Sequence, residues 1–348
     1  MSKRKLTRQQ AWRIEKIQKE RLDRATRHKV EVEELIDSGS LGREQTGRIV
    51  ARFGKQVEVV AIDRLGQPVN DPIRCHLRSC LSSLVTGDQV VFQATDATGV
   101  VTAHKPRRNV LERPDSRGII KVMAANIDQL IIVTALEPEP QPEILDRYLV
   151  AAEVTNIPPI IVINKVDLLR ESETNRNLLM GIKNLYEVIG YTVVEATTKK
   201  IGGLDELSQY LIDKSSVFIG QSGVGKSSII NKLIYGSEQR VGSISKSGEG
   251  RHTTVNSVMK SLNNGGYLID SPGVRDYLPV LATTSEAQKG FREITEFSQF
   301  CRFSNCLHLR EPKCAVKKAV EDNLIDYRRY ESYKRVVNLT SKFSEKKY

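Results

Sequence analysis

The sequence predicts a multidomain protein: an N-terminal β-barrel, a central α/β domain on a mostly parallel sheet, and a mainly helical C-terminal region. Three patterns predict it. Short alternating runs between turn residues occupy 46–104, continuous apolar runs alternate with helix-compatible stretches from 126 to 270, and a helical, cysteine-containing segment closes the chain. The expected boundaries are 1–40 for a basic flexible arm, 41–114 for the barrel, 115–280 for the α/β domain and 281–348 for the helical region.

The arm carries eleven Lys or Arg against three Asp or Glu within residues 1–29, and Trp12, Ile14 and Ile17 are too sparse to hold a core. Such an arm is either a solvated tail or a binder of phosphates. The whole chain has 53 Lys and Arg against 42 Asp and Glu, a net charge of +11, which favours a polyanionic partner.

In the barrel, Gly47 to Ile62 folds around a Phe53-Gly54-Lys55 turn, and Ile73–Leu77, Val90–Ala94 and Gly99–His104 follow. A barrel of this size suits an OB-fold, a common oligonucleotide binder. Its exit is basic, through Lys105, Arg107, Arg108, Arg113, Arg117 and Lys121. Only Phe53 and Phe92 are aromatic between 46 and 114, so contacts to the backbone of folded RNA fit better than stacking on many rings. Cys75, His76 and Cys80 could imitate a metal site, but they lack a fourth ligand nearby and read as barrel packing.

In the α/β domain, Asp128–Ala135 and Pro159–Ile163 are continuous apolar runs of the buried parallel kind, with helix-like Ile144–Val154 between them. Tyr191–Ala196, Ser216–Ile219 and a last strand, Gly266–Asp270, continue the theme. The chain's 39% hydrophobic content supports ordinary cores and excludes a wholly disordered protein. The longest apolar runs, Leu130–Leu136 and Ile157–Ile163, fall short of the roughly 18 to 20 residues that cross a bilayer, so no membrane association is expected. The N-terminus is charged where a signal peptide would be apolar, which predicts a cytoplasmic protein. Five cysteines, an odd number, suggest reduced, buried or metal-bound thiols rather than a disulfide framework.

The chemistry concentrates in a few motifs. Gly220-Gln221-Ser222-Gly223-Val224-Gly225-Lys226-Ser227, with Ser228 after it, matches GxxxxGK[ST] between a strand and a helix. Its glycines let backbone N–H groups curl around phosphates, Lys226 reaches the β and γ oxygens, and Ser227 ligates Mg²⁺. Asn164-Lys165-Val166-Asp167 follows an apolar strand and has the NKxD pattern. The Asp167 carboxylate can accept from both N1–H and the 2-amino group of guanine, which selects GTP and GDP over ATP. Ala196-Thr197-Thr198 resembles a further loop that touches guanine through backbone.

Asp270-Ser271-Pro272-Gly273 has the DxxG pattern, with Asp270 holding Mg²⁺ through water and Gly273 sensing the γ-phosphate. The polar stretch 236–254 reads as a switch loop in which Thr254, in preference to Thr253, is the second Mg²⁺ ligand. NKxD precedes the phosphate loop and DxxG, the reverse of the Ras-like order, so the domain is circularly permuted.

Beyond it, Cys301, Cys306, His308 and Cys314 form a Cys₃His set suited to one closed, structural Zn²⁺, with free buried cysteines as the alternative.

This combination resembles the RsgA family of bacterial, circularly permuted GTPases that depend on the small ribosomal subunit. The likeness spans about residues 40–335 and rests on the barrel, on NKVD, GQSGVGKSS, GRHTT and DSPG in that order, and on the cysteine and histidine spacing. The resemblance implies a late-acting factor in maturation of the 30S subunit, with its 16S rRNA as a partner, and a weak intrinsic GTPase that the subunit stimulates; a monomer is expected. A Ras-like enzyme positions its attacking water with a Gln just after DxxG; Val274 stands there, so slow turnover in isolation is expected. His252 in the switch loop is the best substitute, and the resemblance supports its catalytic role alongside Thr254 and Lys226. An RNA-binding protein with a relic nucleotide site and a metabolic P-loop kinase are the competing readings. NKxD argues against the kinase.

Overall fold

The computed structural model describes residues 41–78, 81, 83–95, 97–114, 118–170, 172–235, 257–262, 265–270 and 283–345. The chain forms two compact units, one holding residues 41–84 and 88–106, the other residues 85–87 and the described chain from 107 onward.

In the first unit, β1 (Gln45–Phe53), β2 (Gln56–Ala61), β3 (Ile73–Leu77), β4 (Gln89–Ala94) and β5 (Gly99–His104) close into a barrel. β1 pairs antiparallel with β2 and β4, β2 with β3, and β4 with β5, while β3 and β5 run parallel. Alternation sends Ile49, Val57, Val59, Val90, Phe92 and Val101 into one core. Cys75 belongs to that core, and burial pushes its thiol up to about 12.

The second unit begins with a two-stranded hairpin, β6 (Val110–Pro114) and β7 (Ile120–Ala125). The sequence marks this stretch only by its basic residues and predicts no hairpin here. A ribbon that buries only a few of its residues, such as Leu111, Ala124 and Ala125, leaves little alternation to see. Arg108 donates to Asp128 at 2.7 Å and to the Asn126 carbonyl at 3.2 Å, so one of the exit's cations serves the fold.

The main sheet comprises β8 (Gln129–Ala135), β9 (Pro159–Asn164), β10 (Thr192–Glu195), β11 (Ser215–Gly220), β12 (Val258–Ser261) and β13 (Tyr267–Asp270), in the order β10-β9-β8-β11-β13-β12. All neighbours are parallel except β12, which pairs antiparallel with β13. Helices α1 (Pro142–Thr155), α2 (Glu173–Val188), α3 (Asp205–Leu211) and α4 (Lys226–Tyr235) connect the strands. Ile131, Val133, Ile160, Val162 and Phe218 share one core with Leu207 of α3 and Ile229 of α4, while the alternate residues Leu130, Ile132, Ile161 and Ile163 are equally buried. Both faces are therefore covered, as continuous apolar strands require. Strand β12 escaped sequence reading because an antiparallel edge of four residues has almost no period to detect.

From β8 the chain steps outward to β9 and β10, then returns to β11 on the other side of β8 and continues to β13. The reversal between β8 and β11 is a topological switch point, and in open α/β sheets a ligand usually lies beyond the carboxyl ends of the strands at such a point.

Four helices complete the chain: α5 (Thr284–Lys289), α6 (Arg292–Ser298), α7 (Ala315–Glu321) and α8 (Tyr327–Glu345). Thr283 and Glu286 start α5 with a reciprocal capping box. Val150 of α1 shares a core with Phe291, Ile294, Val316 and Tyr333. At its edge Arg329 of α8, 1% exposed, pairs with Asp146 of α1 and at 2.7 Å with Glu293 of α6. Tyr186 of α2 donates to the same Asp146 carboxylate at 2.7 Å, and the Arg329 guanidinium lies 4.4 Å from the Phe291 ring centre. Burial opposes the Arg329 charge, but the carboxylates of Asp146 and Glu293 outweigh it and raise its pKa.

Removing one partner of such a group leaves a buried charge poorly compensated. Asp146→Ala is expected to cost about 3 kcal/mol, the low end for a broken buried pair because Glu293 remains. Urea unfolding followed by tryptophan-independent far-ultraviolet dichroism checks this; an unchanged midpoint would mean that Glu293 alone satisfies Arg329.

Candidate active site and metal centre

The strand ends at the β8/β11 reversal carry the nucleotide motifs. β11 ends at Gly220, paired with Val133 of β8, and the backbone there has φ +145°. A Cβ at Gly220 would lie 2.1 Å from the Val133 carbonyl oxygen, so only glycine lets the loop leave the sheet this close to its neighbour. The loop then passes through left-handed Gly223 and Gly225 into α4. Lys226 is 7% exposed and donates to the Gly220 and Gln221 carbonyls, both at 2.6 Å. Its ammonium therefore rests inside the loop's own curve, with Ser227 and Ser228 following on the exposed first turn of α4.

Asn164 ends β9 beside Ala135 of β8 and is 2% exposed. Its Nδ2 donates to the Val224 carbonyl at 2.8 Å, tying the NKxD segment to the phosphate loop. A Cβ at Gly225 would fall 2.3 Å from that Nδ2, which explains the glycine. Asn164 Oδ1 is buried with no hydrogen-bond partner, an orphan acceptor of the kind that a bound ligand or water would satisfy. Lys165, at φ +64°, lays its ammonium across the Glu137 carbonyl at 2.6 Å and the Gly223 carbonyl at 3.0 Å. Val166 and Asp167 begin a short 3₁₀ turn, Val166–Arg170.

The Asp167 carboxylate accepts from the Thr197 hydroxyl, and Thr197 is itself buried. The structure adds a side-chain contact to the loop Ala196-Thr197-Thr198, whose sequence resembles one that touches guanine through backbone. A short polar side chain after a strand that ends near NKxD was the available signal.

Asp270 closes β13 beside β11 on the same sheet edge, with its carboxylate 3.7 Å from Lys260. The structure thus brings the NKxD segment, the phosphate loop and Asp270 to one edge. His252, Thr253, Thr254, Gly273 and Val274 lie outside the described residues, as do the arm 1–40 and Cys80.

The second site lies between α6 and α7. The ligand atoms of Cys301, Cys306, His308 and Cys314 all fall within 4.8 Å of one another, the one such group among the described residues. Cys301 Sγ is 3.8 Å from Cys314 Sγ, and His308 Nδ1 is 3.5 Å from Cys301 Sγ and 3.3 Å from Cys314 Sγ. Around a tetrahedral Zn²⁺ two sulfurs lie about 3.8 Å apart and a sulfur and a nitrogen about 3.5 Å. The donor set fits that ion, with Nδ1 as the histidine ligand. Burial lowers the His308 pKa, which keeps the imidazole neutral, and burial pushes the Cys306 thiol up to about 12, with Cys314 and Cys301 acting in the same direction.

Three groups that sequence reading passed over shape this loop. Glu311 accepts from the Leu307, Leu309 and Arg310 amides, each at 2.9 Å. Burial opposes its charge, yet those amides hold its carboxyl below the usual range. Tyr330 and Tyr333, one turn apart on α8, donate to the His308 carbonyl at 2.6 Å and the Leu307 carbonyl at 3.0 Å. Their spacing was the only hint, since both also read as core.

The family model described as RsgA GTPase matches residues 104–278. A protein of Chromohalobacter salexigens named Small ribosomal subunit biogenesis GTPase RsgA is 48% identical over 340 residues, spanning 97% of this chain and 98% of the relative.

This chain belongs to the RsgA family.

A Pseudomonas fluorescens RsgA of the same name is 44% identical over 339 residues, again across 97% of this chain and 98% of the relative. A model described as 50S ribosome-binding GTPase also matches, over residues 215–342. Two solved structures agree: YloQ, described as a circularly permuted GTPase, and YjeQ from Thermotoga maritima, each with a TM-score of 0.70 and 30% identity. They cover 86% of this chain, and 96% and 99% of their own. As an RsgA, the chain is a circularly permuted GTP hydrolase of ribosome biogenesis, with an N-terminal OB-like barrel and a C-terminal Cys/His cluster. No helix among the described residues is long and apolar enough to cross a membrane.

Proposed function

We propose that this RsgA binds the small (30S) ribosomal subunit as a monomer in the cytoplasm, assists its late maturation, and hydrolyses GTP to GDP and phosphate under stimulation by the subunit. The observation that carries the reading is the Asn164–Val224 hydrogen bond, which joins a base-reading segment to a phosphate loop at the reversal of the sheet. The relatives' name and the net charge of +11 support a ribosomal, polyanionic partner, and the barrel and helical region are the surfaces for 16S rRNA.

In this reading Asp167 accepts from guanine N1–H and the 2-amino group, with Asn164, Lys165 and Val166 shaping its pocket. Gly220 to Ser228 wrap the phosphates, and Lys226 leaves the loop carbonyls for the β and γ oxygens. Ser227 and Thr254 would hold a Mg²⁺, with Asp270 reaching it through water; such an ion would supply positive charge beside the phosphates, and Gly273 would read the γ-phosphate. With Val274 in place of a polar side chain, His252 orients the attacking water once the subunit fixes the switch loop. Cys301, Cys306, His308 and Cys314 hold one structural Zn²⁺ that supplies folding free energy to its loop.

Three measurements test these assignments. Asp167→Asn replaces a double acceptor with an amide, so affinity for GTP is expected to fall about ten- to a hundredfold and xanthine nucleotides to be preferred; unchanged GTP binding in calorimetry would refute the guanine assignment.

Metal analysis of anaerobically purified protein should find one zinc per chain, lost in Cys306→Ser while GDP binding persists. A zinc-free wild type would leave the cluster as packed thiols.

Turnover measured separately with 30S, 50S and 70S particles should rise with 30S alone, and His252→Ala should bind nucleotide and subunit yet lose about 10² to 10⁴ of the stimulation. Full stimulation of the variant assigns water positioning to rRNA or another switch residue. Absence of turnover in every mixture would instead favour a relic site.

A further inference from the structure

Lys232 lies on α4, two turns beyond the phosphate loop, in a position that no nucleotide motif covers. Its half-buried ammonium donates to the Thr198 carbonyl at 2.9 Å and reaches the Lys200 carbonyl at 3.4 Å. Those carbonyls belong to the loop after β10 whose Thr197 hydroxyl meets the Asp167 carboxylate. Two further bonds shape the same loop: Lys199 N–H donates to Thr197 Oγ1 at 3.1 Å, and Thr197 N–H to the Gly203 carbonyl at 2.9 Å. The loop is a small polar turn with its ends fixed on β10 and α3, and Lys232 reaches its middle from the phosphate helix.

We propose that Lys232 is a positioning residue for guanine recognition. By holding the Thr198 and Lys200 carbonyls against α4, it fixes Thr197, and Thr197 fixes the rotation of the Asp167 carboxylate. A bidentate contact to N1–H and a 2-amino group depends on that rotation, because both oxygens must face the base edge together. A contact to N1–H alone tolerates a swing of the carboxylate. The selectivity that Lys232 sets is therefore for guanine over hypoxanthine, which lacks the 2-amino group. The proposal rests on the reading of Asp167 as the guanine acceptor, and it adds that the phosphate helix itself supports the base pocket.

Titrations of GDP, IDP and ADP against the full-length wild type, Lys232→Met and Lys232→Arg test it. The wild type should bind GDP more tightly than IDP and discriminate strongly against ADP. Lys232→Met should weaken GDP by about five- to twentyfold, less than the full loss of a charge-assisted hydrogen bond because it acts through Thr197, and weaken IDP far less, so that the GDP to IDP ratio narrows. Lys232→Arg, which keeps the charge and the donors, should restore most of the ratio. Equal losses for both nucleotides would show that Lys232 merely steadies α4, and unchanged GDP affinity would show that the loop holds its shape alone; either overturns the proposal. If the wild type itself fails to prefer guanine, the assignment of Asp167 falls first and this inference falls with it.

Discussion

A single amide-to-carbonyl hydrogen bond, Asn164 Nδ2 to the Val224 oxygen at 2.8 Å, joins two segments that arise 60 residues apart, with the NKxD segment coming first. Lys165 doubles the tie through Gly223, and Gly225 leaves room for the approach. Because the contact is between loops at one sheet edge, it is indifferent to which loop the chain makes first. That is why a permuted order can build the same pocket: the constraint is spatial, and β8 and β11 meet it by lying side by side with Gly220 against Val133.

The permutation has a second effect at the other end of the chain. Asp270 ends the last strand of the sheet, and the remaining helices pack back onto α1, a helix that precedes the phosphate loop in sequence. Arg329 makes that packing specific, since one guanidinium draws carboxylates from α1 and α6 together and Tyr186 completes the shell around Asp146. The same helix α8 sends Tyr330 and Tyr333 to the backbone of the Cys/His loop. The Cys/His cluster and the sheet are thus parts of one unit, linked through buried polar groups.

Much of the fold was legible because strong periodicities coincide with buried faces. The strands β8, β9 and β11 are continuous apolar runs that only a two-sided sheet can bury, and the five barrel strands alternate because each has one wet face. The hairpin β6–β7 and the edge strand β12 were invisible for the converse reason: short, half-exposed pairings show no period.

The sequence by itself determined the order of the nucleotide motifs, hence the permutation, and the placement of three cysteines and a histidine within 14 residues, because these depend on residue type and spacing alone. Only the tertiary structure decided which groups meet across long separations: Thr197 with Asp167, Lys232 with Thr198, and Arg329 with Asp146. A lysine on an amphipathic helix or an arginine among tyrosines has the same local pattern whether it faces water or a buried carboxylate. The difference lies in what the rest of the chain packs against it, and a linear pattern carries no record of that.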